Sequence, residues 1–494
     1  MTDFIASVND LLWGKVLIFV LIPLGVWFTV RSRFVQFRNF ASMFAILGDG
    51  FRHRGGKPTS FQVLALSVAG RVGAGNIAGV AVAITLGGPG AIFWMWLVGL
   101  VGMATSYFEC SIAQLYKRLE PSGNFRGGPA FYIQHGLKKK LGPFAPLLAG
   151  LYSILLLVTF GFAFNVLQSY AVSTSVSSAF GAPAPIVGVV LAAFVGMVIF
   201  GGVGRITKVV EFIVPIMAIS YIGLVLFVLG SRIGDVPEAL ILIVQSAFGF
   251  NEAVAGGIGA AVVNGVRRGL FSNEAGLGSA PNVAAVAYVP HPAQQGSVQA
   301  LSVFIDTLII CTCTASIILL SGVDYSDPGV DGVILTQTAL AAHVGGWADE
   351  FIATALLLFV FSSIMYNYFL GENALDFFVH ESSLVFTGFR IMTLGFVILG
   401  ANLDLGAAFA FADATMGSLA LVNLLALALL FPVGLRLMRD YEKQRAAGAK
   451  PVLDPDDYAD LDIDAGAWTL EPEHASLLVE KKSRDAAEAS NAAP

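Results

Sequence analysis

The sequence GRVGAGN at residues 70–76 interrupts one long apolar run, and the sequence FSNEAGLG at residues 271–278 interrupts another. We name these the first break and the second break. Glycine costs about 1 kcal/mol relative to alanine in a helix interior, so both are poor helix material. Hydrocarbon cannot satisfy the backbone groups that a broken helix exposes, and such breaks persist only inside protein or beside a wet cavity. Two breaks in two similar halves of a chain predict a solute site near the middle of a membrane.

The composition agrees with a membrane location. The chain has 494 residues, of which 56% are hydrophobic and 13% are charged, whereas about 25% charged residues are typical of soluble domains. Repeated apolar runs of about 20 residues predict an all-helical polytopic membrane protein. The net charge of −6 arises largely from the polar C-terminal residues and gives no sign of nucleic-acid binding. Cys110, Cys311 and Cys313 lie in apolar runs, and we interpret them as packing residues rather than disulfide or zinc ligands.

The apolar runs predict eleven membrane helices. They lie at about 11–30, 60–86, 91–116, 144–177, 186–200, 211–229, 265–289, 296–320, 351–378, 384–399 and 409–437. Lysine and arginine concentrate in alternate loops, beginning with the loop after the first helix. The positive-inside rule therefore places the N-terminus outside and the C-terminus in the cytoplasm. Residues 237–263 are ambiguous, because they fit a re-entrant or extracellular hairpin or the outer part of the helix that carries the second break.

The halves of the chain predict an inverted repeat. Each contains five helices, opens on a broken helix and has the opposite orientation to the other. The predicted organisation is an N-terminal helix and cytoplasmic loop (1–59), a first repeat (60–231), an extracellular or re-entrant connector (232–264), a second repeat (265–439) and a cytoplasmic tail (440–494). The composition of 440–494 is too polar to bury a core, so we expect mostly disorder there.

The first break has three readings. Residues 73–78 match the loose dinucleotide pattern Gly-x-Gly-x-x-Ala, but no strand–helix unit surrounds them. They also suit a small-residue face for helix packing. The functional alternative is an unwound segment whose N–H groups, at a positive helix end, bind a carboxylate. The second break adds Ser272, Asn273 and free carbonyl groups, which suit an ammonium group or sodium. Together the breaks predict a bound zwitterion.

Other polar residues within the apolar runs have two readings each. Asn165 and Gln168 share a helix face and either cross-link helices or face the site. Ser362 and Ser363 either bond to their own helix or, with Asn367 one turn later, line a polar path. The ionisable residues are expected to form structural ion pairs or to face water: Arg71, Glu109, Glu274, Asp306 and Glu372. Glu274 is the best functional candidate, because it lies inside a break.

Several stretches resemble the alanine-or-glycine:cation symporter family. They lie at 70–80, 86–90, 265–281 and 291–314, and GLFSNEAGLGSAP at 269–281 is similar to a family hallmark almost residue for residue. The likeness covers about residues 11–439. It implies a leucine-transporter-type fold of the APC superfamily, with a five-plus-five inverted repeat and one extra N-terminal helix. It also implies sodium-coupled uptake of alanine or glycine across the cytoplasmic membrane by alternating access, with no organic cofactor and no required protein partner.

The resemblance implies specific site residues. For the amino acid these are Gly73, Ala74, Gly75, Asn76, Gln168, Phe271, Ser272, Asn273, Gly276 and Asn367. For sodium they are the carbonyl groups of Ala69 and Val72 and the hydroxyl groups of Ser362 and Ser363. Many family members have threonine at the position of Ala74, and some have a bulky aromatic residue at that of Asn367, so this pocket is expected to be roomier.

These departures keep other functions open. A larger amino acid such as glutamine, or proton coupling, remains an alternative within the carrier class. A channel is disfavoured, because the sequence contains no repeated filter and no ring of like charges. An intramembrane enzyme is disfavoured too, because no nucleophile–base or metal constellation is apparent.

Overall fold

The computed structural model describes residues 2–50, 58–249, 257–325, 332–380, 382–403, 405–469 and 472–492. Within them the chain is almost entirely helical, and two short strands, β1 (Arg118–Leu119) and β2 (Phe125–Arg126), pair antiparallel. The principal helices are α1 (Phe4–Arg31), α2 (Phe40–Gly50), α3 (Ser60–Arg71), α4 (Gly75–Gly87), α5 (Gly90–Leu115), α6 (Phe144–Phe180), α7 (Ala184–Ile199), α8 (Val203–Ser231), α9 (Val236–Ala247), α10 (Gly257–Asn273), α11 (Ser279–Ala284), α12 (Pro292–Leu320), α13 (Val333–Val344), α14 (Ala348–Val379), α15 (Ser383–Gly400), α16 (Leu405–Ala446) and α17 (Pro472–Ala492). Short helical segments lie at Val35–Arg38, Pro129–Phe131, Tyr132–Gly136, Lys138–Leu141, Pro455–Tyr458 and Gly466–Thr469.

The long apolar helices make this a multi-pass membrane protein. Eight helices of the described residues are long and apolar enough to span a membrane, or nine if α3 and α4 count as one bent span. The predicted helix at 186–200 corresponds to α7, which is a shorter apolar helix, and the helix of the second break is divided into α10 and α11. The count of eleven spans and the five-plus-five arrangement therefore stay predictions.

The start of the first broken helix follows from its local sequence. Thr59 Oγ1 accepts a hydrogen bond from Gln62 N at 3.2 Å, and Gln62 Oε1 accepts one from Thr59 N at 3.1 Å. This reciprocal capping box satisfies two backbone donors that would otherwise be unpaired at the beginning of α3. The start of α3 is therefore fixed by residues that precede the first break in the sequence.

Two regions differ from the sequence-based assignment. In the ambiguous residues 237–263, α9 is followed by α10, so 257–263 form the first turns of the second broken helix. Residues 250–256 lie outside the described ranges. The predicted outer loop before α14 contains α13, which covers the first break. Thr336 of α13 donates a hydrogen bond to the carbonyl oxygen of Ile77 at 3.2 Å. α13 was missed because its apolar residues form a run too short to span a membrane.

The prediction of a mostly disordered C-terminal tail is wrong for its described residues. α16 continues to Ala446, and α17 forms most of the final segment. Leu453 N donates to Pro290 O at 2.9 Å, while Tyr458 and Trp468 are buried. The composition was misleading because the few apolar side chains of this segment are buried against the rest of the protein. The segment does not need a hydrophobic core of its own.

Candidate functional site

The first break is a true interruption of the helix. α3 ends at Arg71, Val72 has extended backbone (φ −83°, ψ 99°), and α4 begins at Gly75 after a bend of 50°. All residues from Val72 to Asn76 are buried. The predicted unwinding is therefore confirmed, and the unwound backbone lies inside protein, as the chemistry of hydrocarbon requires.

Glycine at position 73 is required by close packing around the unwound backbone. A Cβ atom there would lie 2.7 Å from Gln168 Nε2 on α6 and 2.7 Å from Ser363 Oγ on α14. The Gln168 side chain also accepts a hydrogen bond from Ala74 N at 3.0 Å. Asn165, predicted beside Gln168, instead donates to the carbonyl of its own helix at Gly161. Of this predicted pair, Gln168 is the residue that reaches the break.

The second break lies slightly later than predicted. Phe271, Ser272 and Asn273 form the last turn of α10, and the irregular backbone occupies 274–278. Glu274 has a left-handed conformation (φ 55°), which is uncommon for a residue with a side chain. Gly276 also has a positive φ, of 94°, where glycine is the least strained residue.

Asp306 of α12 joins the two breaks. Its carboxylate accepts hydrogen bonds from Asn76 Nδ2 at 2.6 Å and from Ser272 Oγ at 2.6 Å, and a third from Thr307 Oγ1 at 2.8 Å. Asn76 also donates to Ser272 at 3.1 Å, so the polar groups of both breaks form one network. Sequence reasoning marked Asp306 only as an ionisable residue in an apolar run, and that signal alone did not reveal this junction.

Aromatic packing brings the breaks into direct contact. The ring of Phe271 covers Gly75, where a Cβ atom would lie 2.9 Å from Phe271 Cδ1. On α14, the ring of Tyr366 lies so close to Gly70 that a Cβ atom there would overlap it. The Tyr366 hydroxyl group donates to Glu274 Oε2 at 2.8 Å, so α14 contacts both breaks. The predicted binding residues of the first break thus lie against those of α10.

Three of the four predicted sodium ligands lie together. Ser363 Oγ is 2.7 Å from Ala69 O and 3.3 Å from Val72 O. Ser362 Oγ, by contrast, bonds to the carbonyl of Phe359 within its own helix. The two carbonyl groups and the Ser363 hydroxyl group are hard oxygen ligands, which suit a small alkali cation. Ser362 is the residue of this predicted set that faces elsewhere.

Three predicted amino-acid ligands make no hydrogen bond to the first break within the described residues. Asn273 Oδ1 accepts from Ala275 N at 3.0 Å, which closes the turn of the second break. Gly276 N donates to Glu109 Oε2 at 3.2 Å, so its amide faces α5. Asn367 is buried, but its amide nitrogen has no hydrogen-bond partner among the described residues.

Buried charge around the breaks is unbalanced. Across the described ranges, no lysine, arginine or histidine nitrogen lies within 4.0 Å of the carboxylates of Glu109, Glu274 or Asp306. Arg71 lies at the first break, and its guanidinium group bonds to neutral groups of α5 and α12, among them Ser106 at 3.2 Å. Carboxyl groups without an ion-pair partner in a membrane interior are typical of ion or proton pathways.

Of the five ionisable residues that the sequence analysis singled out, only Glu372 forms an ion pair within the described residues. Glu372 lies 3.6 Å from Arg390 and also accepts a hydrogen bond from Tyr368. Glu274 bonds instead to hydroxyl groups, including Ser279 Oγ at 2.6 Å. Its position inside the second break, predicted from sequence, agrees with a role at the site rather than in an ion pair.

Comparisons with known proteins give a consistent result. Residues 1–455 match the model of the sodium:alanine symporter family. The chain is 45% identical to the probable sodium/glutamine symporter GlnT of Bacillus subtilis (strain 168), over 92% of this chain and 93% of the relative. It is 46% identical to the amino-acid carrier protein AlsT of the same organism, over 90% and 93% of the two chains. It is 35% identical to the sodium/alanine symporter AgcS of Methanococcus maripaludis, over 91% and 99%.

Proposed function

From the premise that the chain belongs to the sodium:alanine symporter family, we propose that it imports a small neutral amino acid, alanine or glycine, together with sodium by alternating access. The observation that carries this proposal is the meeting of two unwound backbone segments with Gln168, Asp306 and Ser363 in one buried region. Such a region offers both anion-binding and cation-binding groups. It suits reversible binding of a zwitterion and an alkali cation.

The amino acid is assigned to the space between the breaks. The start of α4, at Gly75, carries the positive end of a helix dipole and is suited to the substrate carboxylate. The end of α10, at Ser272, and the carboxylate of Asp306 are suited to the ammonium group. Gln168 and Phe271 close around the same backbone, so they limit the size of the substrate side chain.

Sodium is assigned to the carbonyl groups of Ala69 and Val72 and the hydroxyl group of Ser363. A cation there would hold the end of α3 against α14. The same segment continues into Gly73 and Ala74, whose backbone contacts Gln168. Binding of sodium and binding of the amino acid would then favour the same arrangement of the first break. A shared preferred state of this kind gives a positive coupling free energy between two ligands.

Glutamine is the principal alternative substrate. A relative with 45% identity is named a probable sodium/glutamine symporter, and the small Ala74 and the buried Asn367 leave a longer polar substrate compatible with the site. Proton coupling is the second alternative, because the carboxyl groups of Glu109, Glu274 and Asp306 have no cationic partner within 4.0 Å in the described residues. The proposed orientation is an external N-terminus and a cytoplasmic C-terminus, in the cytoplasmic membrane, with two inverted five-helix repeats.

The test is uptake of radiolabelled alanine by purified protein in liposomes. We expect an inward sodium gradient to drive accumulation, and unlabelled alanine or glycine to compete better than glutamine. Uptake that does not respond to the sodium gradient would contradict sodium coupling, and stronger competition by glutamine would transfer the assignment to the larger substrate. A proton gradient at equal sodium separates the coupling ions.

A matched pair of glycine variants links the uptake to the first break. Gly73→Ala places a methyl group against Gln168 and Ser363, and we expect at least a tenfold loss of uptake. Gly223→Ala in α8 adds a methyl group with no atom within 4 Å, so uptake is expected to remain near the wild-type rate. Equal uptake by both variants would contradict a site at the first break.

A further inference from the structure

The final part of the chain lies beyond the family match but packs tightly on the cytoplasmic side of the membrane core. The family model ends at residue 455. We name residues 456–492 the strap; its described residues are 456–469 and 472–492. The strap includes Gly466–Thr469 and α17, and its Trp468 is 2% exposed. Because a segment that only trailed from α16 would not bury a tryptophan, the strap has a docking surface on the core.

Ionic contacts join the strap to three separate parts of the core. Asp462 lies 3.3 Å from Arg118, at the end of α5, and 3.0 Å from His135, in the connection to α6. Asp460 lies 2.8 Å from Arg436 of α16. Exposed ion pairs of this kind are individually weak and are screened by salt. The hold of these ion pairs on the strap is therefore expected to weaken as the salt concentration rises.

A buried lysine connects the strap to the region that follows the second break. Lys117 Nζ lies 4.1 Å from the ring centre of Trp468 and 4.1 Å from that of Phe125, so the ammonium group is enclosed between the two rings. The same nitrogen donates to the carbonyl oxygen of Ala287, just after α11. Leu119 N, two residues further along the chain, donates to Asp464 Oδ2 of the strap at 2.9 Å.

The strap also encloses a cavity beside the start of the first broken helix. The cavity has a volume of about 410 Å³. Its wall includes Thr59 and Ser60 at the start of α3, Tyr288 after α11, and Glu473 and Leu477 of α17. A backbone hydrogen bond joins the segment after α11 to the segment before α3 beside this cavity, since Tyr288 N donates to Pro58 O at 3.2 Å. The strap therefore lines the same cavity as the ends of both broken helices.

We propose that the strap is a brake on transport. Docked, it ties the connection between α5 and α6 to α16, and it holds Lys117, which bonds to the segment after α11. It thereby resists separation of these parts when the solute site opens to the cytoplasm. When the strap is released, it no longer opposes the separation of these parts, and the transport cycle becomes faster. The inference rests on the proposed symport, because it concerns the rate at which that cycle proceeds.

The first experiment compares strap variants of the full chain in liposomes under an inward sodium gradient. Asp462→Asn and Trp468→Ala remove contacts between strap and core, and we expect initial alanine uptake to rise by about two- to fivefold. Lys482→Gln is the matched control, because Lys482 pairs with Asp454 and Asp456, next to or within the strap itself. Its uptake is expected to equal that of the wild type. Added salt on the cytoplasmic side is expected to accelerate the wild type more than Asp462→Asn.

The second experiment locks the strap in place and remains informative if a released variant folds poorly. Cysteines replace Arg118 and Asp462 together, and a bis-methanethiosulfonate reagent joins them, since it spans the gap that the arginine side chain filled. The native Cys110, Cys311 and Cys313 are all buried. Uptake by the double variant is expected to fall at least threefold on cross-linking and to return with a reductant, while neither reagent changes the uptake of each single-cysteine variant.

The two proposals fail in different ways. Sodium-driven uptake that is equal in the wild type, the released variants and the cross-linked protein would overturn the brake and leave the proposed symport standing. Faster uptake after cross-linking, or slower uptake after release, would also overturn it. Absence of sodium-driven uptake in the wild type would overturn the proposed symport, and the brake with it.

Discussion

Adjacent serines on α14 provide a sharp test of the cation site. Ser362 and Ser363 are both fully buried, and each hydroxyl group donates to the carbonyl oxygen of Phe359 at 2.9 Å. Only Ser363 also reaches the end of α3, at 2.7 Å from Ala69 O and 3.3 Å from Val72 O. Replacement of either serine by alanine removes the same atom from the same helix, so the difference between the variants isolates the contact with α3.

The expected magnitude follows from the loss of one oxygen ligand to a charged partner. Hydrogen bonds to charged groups contribute about 1.5–3 kcal/mol, and we take one lost cation ligand as comparable. Since about 1.4 kcal/mol corresponds to a factor of ten in affinity, Ser363→Ala should raise the half-saturating sodium concentration roughly 10- to 100-fold. Ser362→Ala loses only a bond within its helix, and the sodium requirement should change by less than about threefold.

The assay is alanine uptake at increasing sodium and constant ionic strength, with choline replacing sodium. Thermal unfolding of the detergent-solubilised variants controls for a general loss of stability. Equal shifts in the sodium requirement of the two variants would refute the assignment, because they would show that proximity to Ala69 and Val72 is irrelevant. An unchanged sodium requirement in Ser363→Ala would refute it as well.

Three further expectations concern the junction of the breaks and the strap. Asp306→Asn should weaken alanine binding about tenfold, measured by competition with unlabelled alanine, because charge-assisted hydrogen bonds from both breaks are lost. Tyr366→Phe should weaken alanine binding about fivefold, since it removes one hydrogen bond of about 1 kcal/mol to Glu274; unchanged competition would contradict a link through α14. Burial lowers the pKa of His474 from 6.5 to about 4, so the docked strap disfavours the protonated ring. Docking should therefore weaken as the pH falls from 6.5 towards 4, with faster proteolysis of α17, and His474→Gln should lose this pH dependence.

Local chemistry was enough to predict the two breaks. Gly73 and Gly276 stand in segments that cannot continue a helix cheaply, and a membrane makes every interruption costly unless it is buried. Gln168, which a family resemblance predicts as a ligand of the amino acid, lies beside the first break; its role as a ligand stays a prediction. The predictions of the two breaks succeed because they depend on a few consecutive residues and on the surrounding solvent.

Contacts between distant residues were beyond such reasoning. Asp306 meets Asn76 across 230 positions of the chain, and nothing near either residue indicates the pairing. The choice of Ser363 over Ser362 depends on the rotation of α14 about its axis, which is set by packing against α3 and α6. The order of the C-terminal segment depends on a docking surface that its own composition does not reveal.

The sequence by itself determined that this protein crosses a membrane several times and that two of its helices are interrupted, because hydrophobicity and glycine content act locally. Only the tertiary structure decided which oxygen atoms meet at the interruptions and which surface the C-terminal segment packs against. A carboxylate, a hydroxyl group or a tryptophan has the same local preferences wherever it stands. Its role depends on which distant groups the packed helices bring within a few ångströms.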